Sequence, residues 1–315
     1  MSDLAGILFI GDPHLASRVP GFRKDDYPRT MLDKLKWAMR YAADERLLPV
    51  ILGDLFDYPR DNANWLLVEL LSLFNSQTLV LWGNHDCKEN SITPDDTISI
   101  LLASGCVRLL DGECPWIGSI GGCTVCIGGS CWGQRLPKHF DRSSLPAGRT
   151  SWVFWAAHHD LRFPGYEESA RLDCRDIPGI DAVINGHIHR DLGQVVSGGT
   201  RWINPGNIAR IARSDATKAH VPGVLRIDVS PDVWTARRIT VPHQPFDDVF
   251  HAELATAELP PDESVFINGL AELESLRTAS GAGLQQFLDA NLPQFDGRVA
   301  EEIRRLAKEV LNHGE

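Results

Sequence analysis

The sequence predicts an α/β protein in which two mixed sheets pack face to face, with helices outside and a C-terminal helical extension. Three observations lead to this prediction. The first half of the chain alternates strands with helices, the second half is rich in strands, and prolines interrupt the pattern after residue 242. We therefore expect a catalytic-sized domain over residues 1–242, followed by a linker and helical extension over residues 243–315.

Short apolar runs at 5–11, 50–53 and 78–83 predict the first three strands. Helical spacing of apolar residues predicts helices at 28–46, 62–74 and 95–103 between and after them. Strands that alternate with helices in this way favour parallel crossovers and a sheet covered on both faces.

Six further strands are predicted in the second half, separated by glycines and prolines. They lie at 124–128, 151–157, 181–185, 200–203, 223–229 and 234–241. Beyond Pro261, helices are predicted at 264–277, 283–291 and 297–312. The last carries an apolar stripe of Val299, Ile303, Leu306 and Val310. That stripe fits either packing on the catalytic domain or docking of a partner protein.

Composition excludes several classes of protein. The 315 residues are 43% hydrophobic and carry a net charge of −11, which argues against a strongly basic nucleic-acid-binding domain. Apolar runs of membrane-spanning length and a cleavable leader are lacking, so we expect a cytoplasmic location. The seven cysteines are an odd number, and a single pair spaced as Cys123 and Cys126 lies in a predicted strand. Buried thiols are expected there, against the alternative of metal or redox use.

Polar motifs follow five of the predicted strands. They are Asp12-Pro-His14, Gly53-Asp54-Leu-Phe-Asp57, Gly83-Asn84-His85-Asp86, His158-His159-Asp160 and Gly186-His187-Ile-His189. Because the carboxyl ends of strands in open α/β sheets form the binding crevice, these side chains are expected to meet in one hollow.

The residue types in these motifs are those of a two-metal site. Carboxylates, imidazoles and an amide oxygen suit divalent manganese, iron or zinc, and the absence of cysteine argues against a structural zinc site. If Asp12 and His14 continue a strand, their side chains point the same way and reach one ion; the same holds for His187 and His189. Two such ions form a clamp for displacement at phosphorus.

The ordered motif set over about residues 5–210 resembles the calcineurin-like metallophosphoesterase superfamily. The resemblance implies a four-layer αββα sandwich and two divalent ions, with Mn²⁺ favoured over iron or zinc. It assigns Asp12, His14 and His189 to the first metal, Asp54 to both, and Asn84, His158 and His187 to the second. It also gives catalytic roles near the phosphate to His85, which assists the leaving group, and to Asp86. Asp86 either orients His85 through a hydrogen bond or caps a loop.

Within the superfamily, the sequence is similar to the SbcD-like DNA-repair nucleases. Protein phosphatases carry Arg after the GDxxD-type motif and Glu after Asn-His, where this chain has Tyr58 and Asp86. The segments 22–27 and 203–207 are similar to segments of the nuclease group. The resemblance implies a phosphodiesterase acting on single- or double-stranded DNA, with an SMC-like coiled-coil ATPase docked on the C-terminal helices.

Two alternatives to a nuclease remain open from the residues. The acidic composition favours an enzyme that hydrolyses a small phosphodiester, such as a cyclic or linear nucleotide. A non-catalytic scaffold is the other, although every ligand position is filled. The cationic stretches 130–150 and 201–218 adjoin the metal motifs, so they form either a phosphate-tracking rim or an ordinary solvated surface.

Overall fold

The computed structural model describes residues 4–20, 23–112, 115–146, 150–167, 169–251 and 305. Residues up to His251 form one compact unit. This unit contains two six-stranded mixed sheets, so the predicted α/β class is confirmed. The predicted helices at 264–277, 283–291 and 297–312 lie outside the described residues, apart from Arg305, which is helical and exposed.

The first sheet has the strand order β14-β13-β1-β2-β3-β4. Its parallel strands are β1 (Gly6–Ile10), β2 (Leu47–Ile51), β3 (Thr78–Val80) and β4 (Val107–Leu109). The crossovers contain α1 (Tyr27–Asp44), α2 (Asn64–Leu73) and α3 (Ile98–Ser104). The strands β13 (Gly223–Val229) and β14 (Trp234–Thr240) add an antiparallel edge.

The second sheet has the order β11-β12-β10-β7-β6-β5. Parallel pairing joins β6 (Cys123–Ser130), β7 (Ser151–Ala157), β10 (Ala182–Asn185) and β12 (Thr200–Pro205). The edges β5 (Trp116–Ile120) and β11 (Asp191–Ser197) are antiparallel. Two-residue strands β8 (Leu161–Arg162) and β9 (Leu172–Asp173) pair separately, and the short helices α4 (Asp215–Ala219) and α5 (Phe246–Val249) follow later.

Alternation along the strands divides the core into three clusters. On β1, Ile7 and Phe9 face the second sheet and pack with residues such as Phe154, while Leu8 and Ile10 face α1. Both faces of the first sheet are therefore covered, as predicted.

The outer face of the second sheet differs from the predicted αββα sandwich. Its core cluster contains no α-helical residue within the described part of the chain; loops supply Leu145, Phe163, Ile177 and Ile180. The connections that cross this face contain Pro137, Pro164 and Pro178, and proline removes a helical hydrogen bond and disfavours a helix interior. Among the described residues, the layer over this sheet is therefore made of loops and the short strands β8 and β9.

Element boundaries also differ from the predictions. The helix predicted from residue 95 begins at Ile98, because the Asp96 carboxylate accepts hydrogen bonds from the N–H and hydroxyl of Thr93 and fixes a turn there. The strands β4, β5 and β11 were not predicted. After residue 242 the chain stays with the compact unit as far as His251, with Val249 and Phe250 buried.

Cys123 and Cys126 are buried free thiols, as predicted. Three positions apart on β6, they lie on opposite faces of the sheet, Cys123 in the inter-sheet core and Cys126 in the outer cluster. That placement rules out one metal shared by this pair. No helix in the described ranges combines the length and apolarity needed to cross a membrane.

Candidate metal centre

All five polar motifs lie directly after strands, as the sequence predicts. Asp12, Asp54 and Asn84 follow β1, β2 and β3 of the first sheet, whereas His158 and His187 follow β7 and β10 of the second. These strands are parallel within each sheet, so their carboxyl ends share one edge. The site is thus assembled where the two sheets meet.

The backbone at the site departs from the extended geometry expected for Asp12-x-His14 and His187-x-His189. Asp12, His14, Asp54 and His187 have φ angles of 36°, 43°, 46° and 68°. These values lie in the left-handed region, so the side chains converge through tight turns rather than through strand alternation. Strained backbone of this kind is typical of functional sites.

The first group of potential ligands consists of Asp12, His14, Asp54 and His189, whose ligand atoms all lie within 4.8 Å of one another. The Nε2 atoms of His14 and His189 are 3.0 Å apart. Two imidazole nitrogens at this distance either share a proton or face a common ion. The set matches the residues predicted for the first metal and the shared ligand.

The second group consists of Asp54, His158 and His187, again with ligand atoms within 4.8 Å. Nε2 of His158 lies 3.3 Å from Oδ2 of Asp54, and Nδ1 of His187 lies 3.0 Å from Oδ1 of Asn84. Asp54 belongs to both groups, which is the arrangement expected of a bridging carboxylate.

Two carboxylates that sequence reasoning did not assign orient these histidines. Nδ1 of His14 is 3.3 Å from Oδ1 of Asp57, and Nε2 of His187 is 2.9 Å from Oδ1 of Asp160. The hydrogen bond of His187 fixes its proton on Nε2 and leaves Nδ1 for a metal, whereas the Asp57 carboxylate faces Nδ1 of His14 at ion-pair distance. Asp57 and Asp160 lie inside two of the five polar motifs, so the sequence marked them as candidates for the site. Their roles could not be assigned from the sequence, because they depend on how the rings of His14 and His187 are oriented.

The donor set fits divalent ions. Oδ2 of Asp12 and Nε2 of His158 are buried, and neither makes a hydrogen bond within the described residues. Buried polar atoms normally have a partner, and two orphaned atoms facing a cluster of carboxylates and imidazoles fit ligation of a cation. The carboxylate, imidazole and amide donors would hold the ions, and the ends of the surrounding β-strands fix the positions of these donors.

The pKa values of the side chains at the centre are shifted by burial and by the charges of neighbouring carboxylates and imidazoles. Burial raises the pKa of the Asp12 carboxyl. For Asp54, burial opposes ionisation, but the neighbouring His158 imidazole and the rings of His85 and His14 outweigh it and hold the pKa well below its usual value. Burial also disfavours protonation of His158, yet the Asp54 carboxylate raises its pKa to about 9. Positive charge is therefore favoured next to Asp54.

His85 lies beside the first group, with its ring 4.8 Å from that of His14 and edge-on to it. Its Nδ1 is 2.9 Å from the backbone oxygen of Asp57, and its side chain is 32% exposed. Because a carbonyl oxygen only accepts, Nδ1 carries a proton and Nε2 is left for substrate. This placement agrees with a residue that faces the phosphate.

Of the two roles that the sequence left open for Asp86, the contacts of its side chain are those of a loop cap. Its buried carboxylate accepts hydrogen bonds from the backbone N–H groups of Leu55, Phe56 and Gly83. It therefore caps the loops that present Asp54 and Asn84. The group that contacts the His85 ring is Asp57 instead.

The other candidates near the site are structural. The backbone N–H of His159 donates to Oδ1 of Asn185, and its side chain belongs to neither ligand group, so His158 is the histidine at the site. Arg142 donates to the backbone oxygens of Ser151 and Gly179, and Arg210 donates to that of His220. The guanidinium groups of these two arginines are engaged by hydrogen bonds within the fold, which argues against their forming a phosphate-tracking rim.

The family model for calcineurin-like phosphoesterases matches residues 5–191. The chain belongs to this family. It is a metal-dependent phosphoesterase, a hydrolase with a candidate dinuclear metal site. No curated protein matches the sequence.

Two solved structures are similar to this phosphoesterase. A hypothetical protein from Thermus thermophilus is 13% identical, with a TM-score of 0.41, over 75% of this chain and 99% of the other. A conserved uncharacterised protein from Streptococcus pneumoniae, described as a predicted phosphoesterase, is also 13% identical. Its TM-score is 0.33, over 77% of this chain and 93% of the other.

In this phosphoesterase, ions held by the two ligand groups would supply Lewis acidity and lower the pKa of a water molecule. The protein's own groups set the geometry. Asp54 neutralises part of the charge between the two sets of donors, and Asp57 holds both His14 and His85. In its protonated form, His85, partly exposed at the edge of the centre, can donate from Nε2 to a departing oxygen.

Proposed function

We propose that the protein hydrolyses phosphodiesters and that DNA is its substrate. The observation that carries the proposal is the exposure of the centre: Asp12, His14, Asp54 and His158 are buried, whereas His85 and His189 reach the surface. A linear polymer reaches metals at the surface without threading its ends into a closed cavity. The segments similar to SbcD-like nucleases support the same substrate.

The residue after Asp57 supports a diester rather than a phosphoprotein. Tyr58 stands where the protein phosphatases carry arginine, and Arg18 lies over its ring at 5.7 Å. A phosphomonoester dianion needs more positive charge than a diester monoanion. Loss of the arginine at this position thus favours the diester.

Hydrolysis of a small phosphodiester is the second candidate. It is favoured by the net charge of −11. It is also favoured by the internal hydrogen bonds of Arg142 and Arg210, because these two side chains are then less able to bind the phosphates of a long DNA. Long DNA binds through many phosphate contacts, whereas a single nucleotide needs few.

Manganese-dependent digestion of end-labelled single- and double-stranded DNA, run beside bis-p-nitrophenyl phosphate, tests the proposal. Cleavage of DNA that stops in the matched Asp54→Asn variant supports a nuclease. Hydrolysis of the chromogenic diester with intact DNA supports the small-substrate candidate. Hydrolysis of phosphomonoesters alone would contradict the assignment to diesters.

We also propose that the extension after His251 docks an SMC-like coiled-coil ATPase. The support is the apolar stripe of Val299, Ile303, Leu306 and Val310 in the sequence, together with the end of the compact unit at His251. Manganese is proposed as the native metal on the strength of the family resemblance, and the oxygen and nitrogen donors are compatible with it.

A further inference from the structure

Trp132 differs from the other tryptophans in its surroundings. All nine tryptophans lie in the described residues, and eight of them pack into one of the three core clusters. Trp132 belongs to none of these clusters. Its ring instead lies against His187, with centroids 4.8 Å apart and a tilt of 35°. It is half-buried, so part of its aromatic surface is open to solvent.

The indole N–H of Trp132 makes no hydrogen bond to any described residue. Buried tryptophans of the same sheet do: Trp155 donates to the Ser130 hydroxyl, and Trp202 donates to the Arg175 carbonyl. An indole that lies beside the centre, outside the core clusters and with part of its ring open, can stack on a ligand.

The loop that carries Trp132 is anchored to the metal centre. The backbone N–H of Trp132 donates to the oxygen of Trp82, which stands two residues before Asn84. The N–H of Cys131 donates to Oε1 of Gln134, and Gly133 completes the turn with a φ of 78°. The indole is therefore held in place before any substrate arrives, which lowers the entropic cost of binding on it.

We propose that Trp132 is a stacking platform for the nucleobase next to the scissile phosphate. This inference rests on the proposed phosphodiesterase function and narrows its substrate to nucleotides. The indole adjoins the second ligand group, with its ring centroid 4.8 Å from that of His187 and 6.4 Å from that of His158, so a base stacked on it would lie beside a phosphate held at the centre. Stacking on an aromatic side chain contributes about 1–3 kcal/mol per base and tolerates any base sequence.

Two chromogenic diesters with the same leaving group test the platform. Thymidine 5′-p-nitrophenyl phosphate carries a base, and methyl p-nitrophenyl phosphate does not. We expect Trp132→Ala and Trp132→Leu to lower the ratio of their kcat/KM values about 10-fold, and Trp132→Phe to keep it within about 2-fold. Trp65→Phe, a half-buried tryptophan on α2, is the matched control.

The leucine variant separates stacking from packing. Leucine preserves an apolar contact with His187 but has no aromatic face, so recovery of the wild-type ratio by Trp132→Leu would overturn the proposal. Loss of bound manganese, measured by elemental analysis, with an unchanged ratio would show that Trp132 only positions His187, and would overturn it as well.

A binding measurement keeps this inference distinct from the proposed function. If the wild type hydrolyses neither diester, the diesterase proposal fails. Calorimetric titration of the manganese-loaded protein with thymidine 5′-phosphate and with inorganic phosphate then decides the role of Trp132. Weaker binding of the nucleotide alone in Trp132→Ala supports the platform, and equal binding by wild type and variant refutes it.

Discussion

Nδ1 of His158 lies 2.6 Å from the carbonyl oxygen of Leu52, and this contact joins the second sheet to the first at the metal centre. Since a carbonyl only accepts, Nδ1 carries a proton, and Nε2 is the ring nitrogen that faces the ligand group. Nε2 lies 3.3 Å from Oδ2 of Asp54. The end of β2 thus supplies Asp54 and also sets the tautomer of a histidine from β7.

Replacement of Asp54 should disable both ligand groups at once. Asp54→Asn removes one negative charge from the position shared by the two groups, and the metals bind more weakly without it. We expect activity to fall at least ~10³-fold, with loss of metal from both sites. Elemental analysis and turnover of a chromogenic diester measure the two effects.

Asp61→Asn is the control for this substitution. Asp61 is exposed and, like Asp54, has a positive φ, so the same chemical change is made in the same backbone region away from the site. Two metals per chain and near-normal turnover in Asp54→Asn would contradict the bridging assignment.

His85 should be needed for turnover but not for metal binding. Its Nδ1 donates to the backbone of Asp57, and it forms part of neither group that contains Asp54. His85→Asn is therefore expected to keep its metal content while kcat falls roughly 10²–10⁴-fold. His139→Asn, at an exposed histidine, serves as the control. A variant that lacks one metal equivalent would identify His85 as a ligand.

Asp57 should affect both metal binding and turnover, because its side chain faces Nδ1 of His14 and its backbone oxygen holds His85. The Asp57→Asn variant keeps the backbone contact and loses the charge. We expect the affinity for Mn²⁺ to fall about 10–100-fold, the usual effect of losing a carboxylate behind a ligating histidine. Titration with Mn²⁺ measures this; an affinity equal to that of the exposed control Asp95→Asn would exclude an orienting role.

The sequence could predict which residues meet at the centre, because ligand position depends only on which strands end at one sheet edge. It could not predict how they are oriented. The left-handed turns at Asp12 and His187, and the contacts of Asp57 and Asp160 with ring nitrogens, depend on tertiary packing. The loop layer over the second sheet was missed for a related reason: a buried apolar face does not specify whether a helix or a loop covers it.

His220 should make the protein sensitive to acid. Burial lowers its pKa to about 4, with Arg238 and Arg210 nearby adding to the effect. The folded protein thus keeps His220 neutral, whereas the unfolded chain takes up a proton below about pH 6.5. This contribution to stability is complete above that pH and is lost as the pH falls toward 4, by up to about 3 kcal/mol.

Urea unfolding between pH 6.5 and pH 4 measures this loss. His220→Asn cannot be protonated, so its free energy of unfolding should fall less steeply over the range than that of the wild type. His139→Asn, at an exposed position, should retain the wild-type slope. Parallel curves for His220→Asn and the wild type would assign the acid sensitivity to other groups.

Truncation after His251 should separate chemistry from assembly. The compact unit ends there, and the described residues before that point hold the two ligand groups and the buried side chains of Val249 and Phe250. We expect a fragment of residues 1–251 to bind two metals and to hydrolyse a diester at a rate within about 3-fold of the full chain, since the groups that touch the reacting phosphate are retained.

We also expect only the full chain to retain a coiled-coil ATPase, identified by mass spectrometry of co-purified proteins. If the extension instead packs on the catalytic unit, truncation exposes apolar surface, and an aggregated or metal-poor fragment would identify that role.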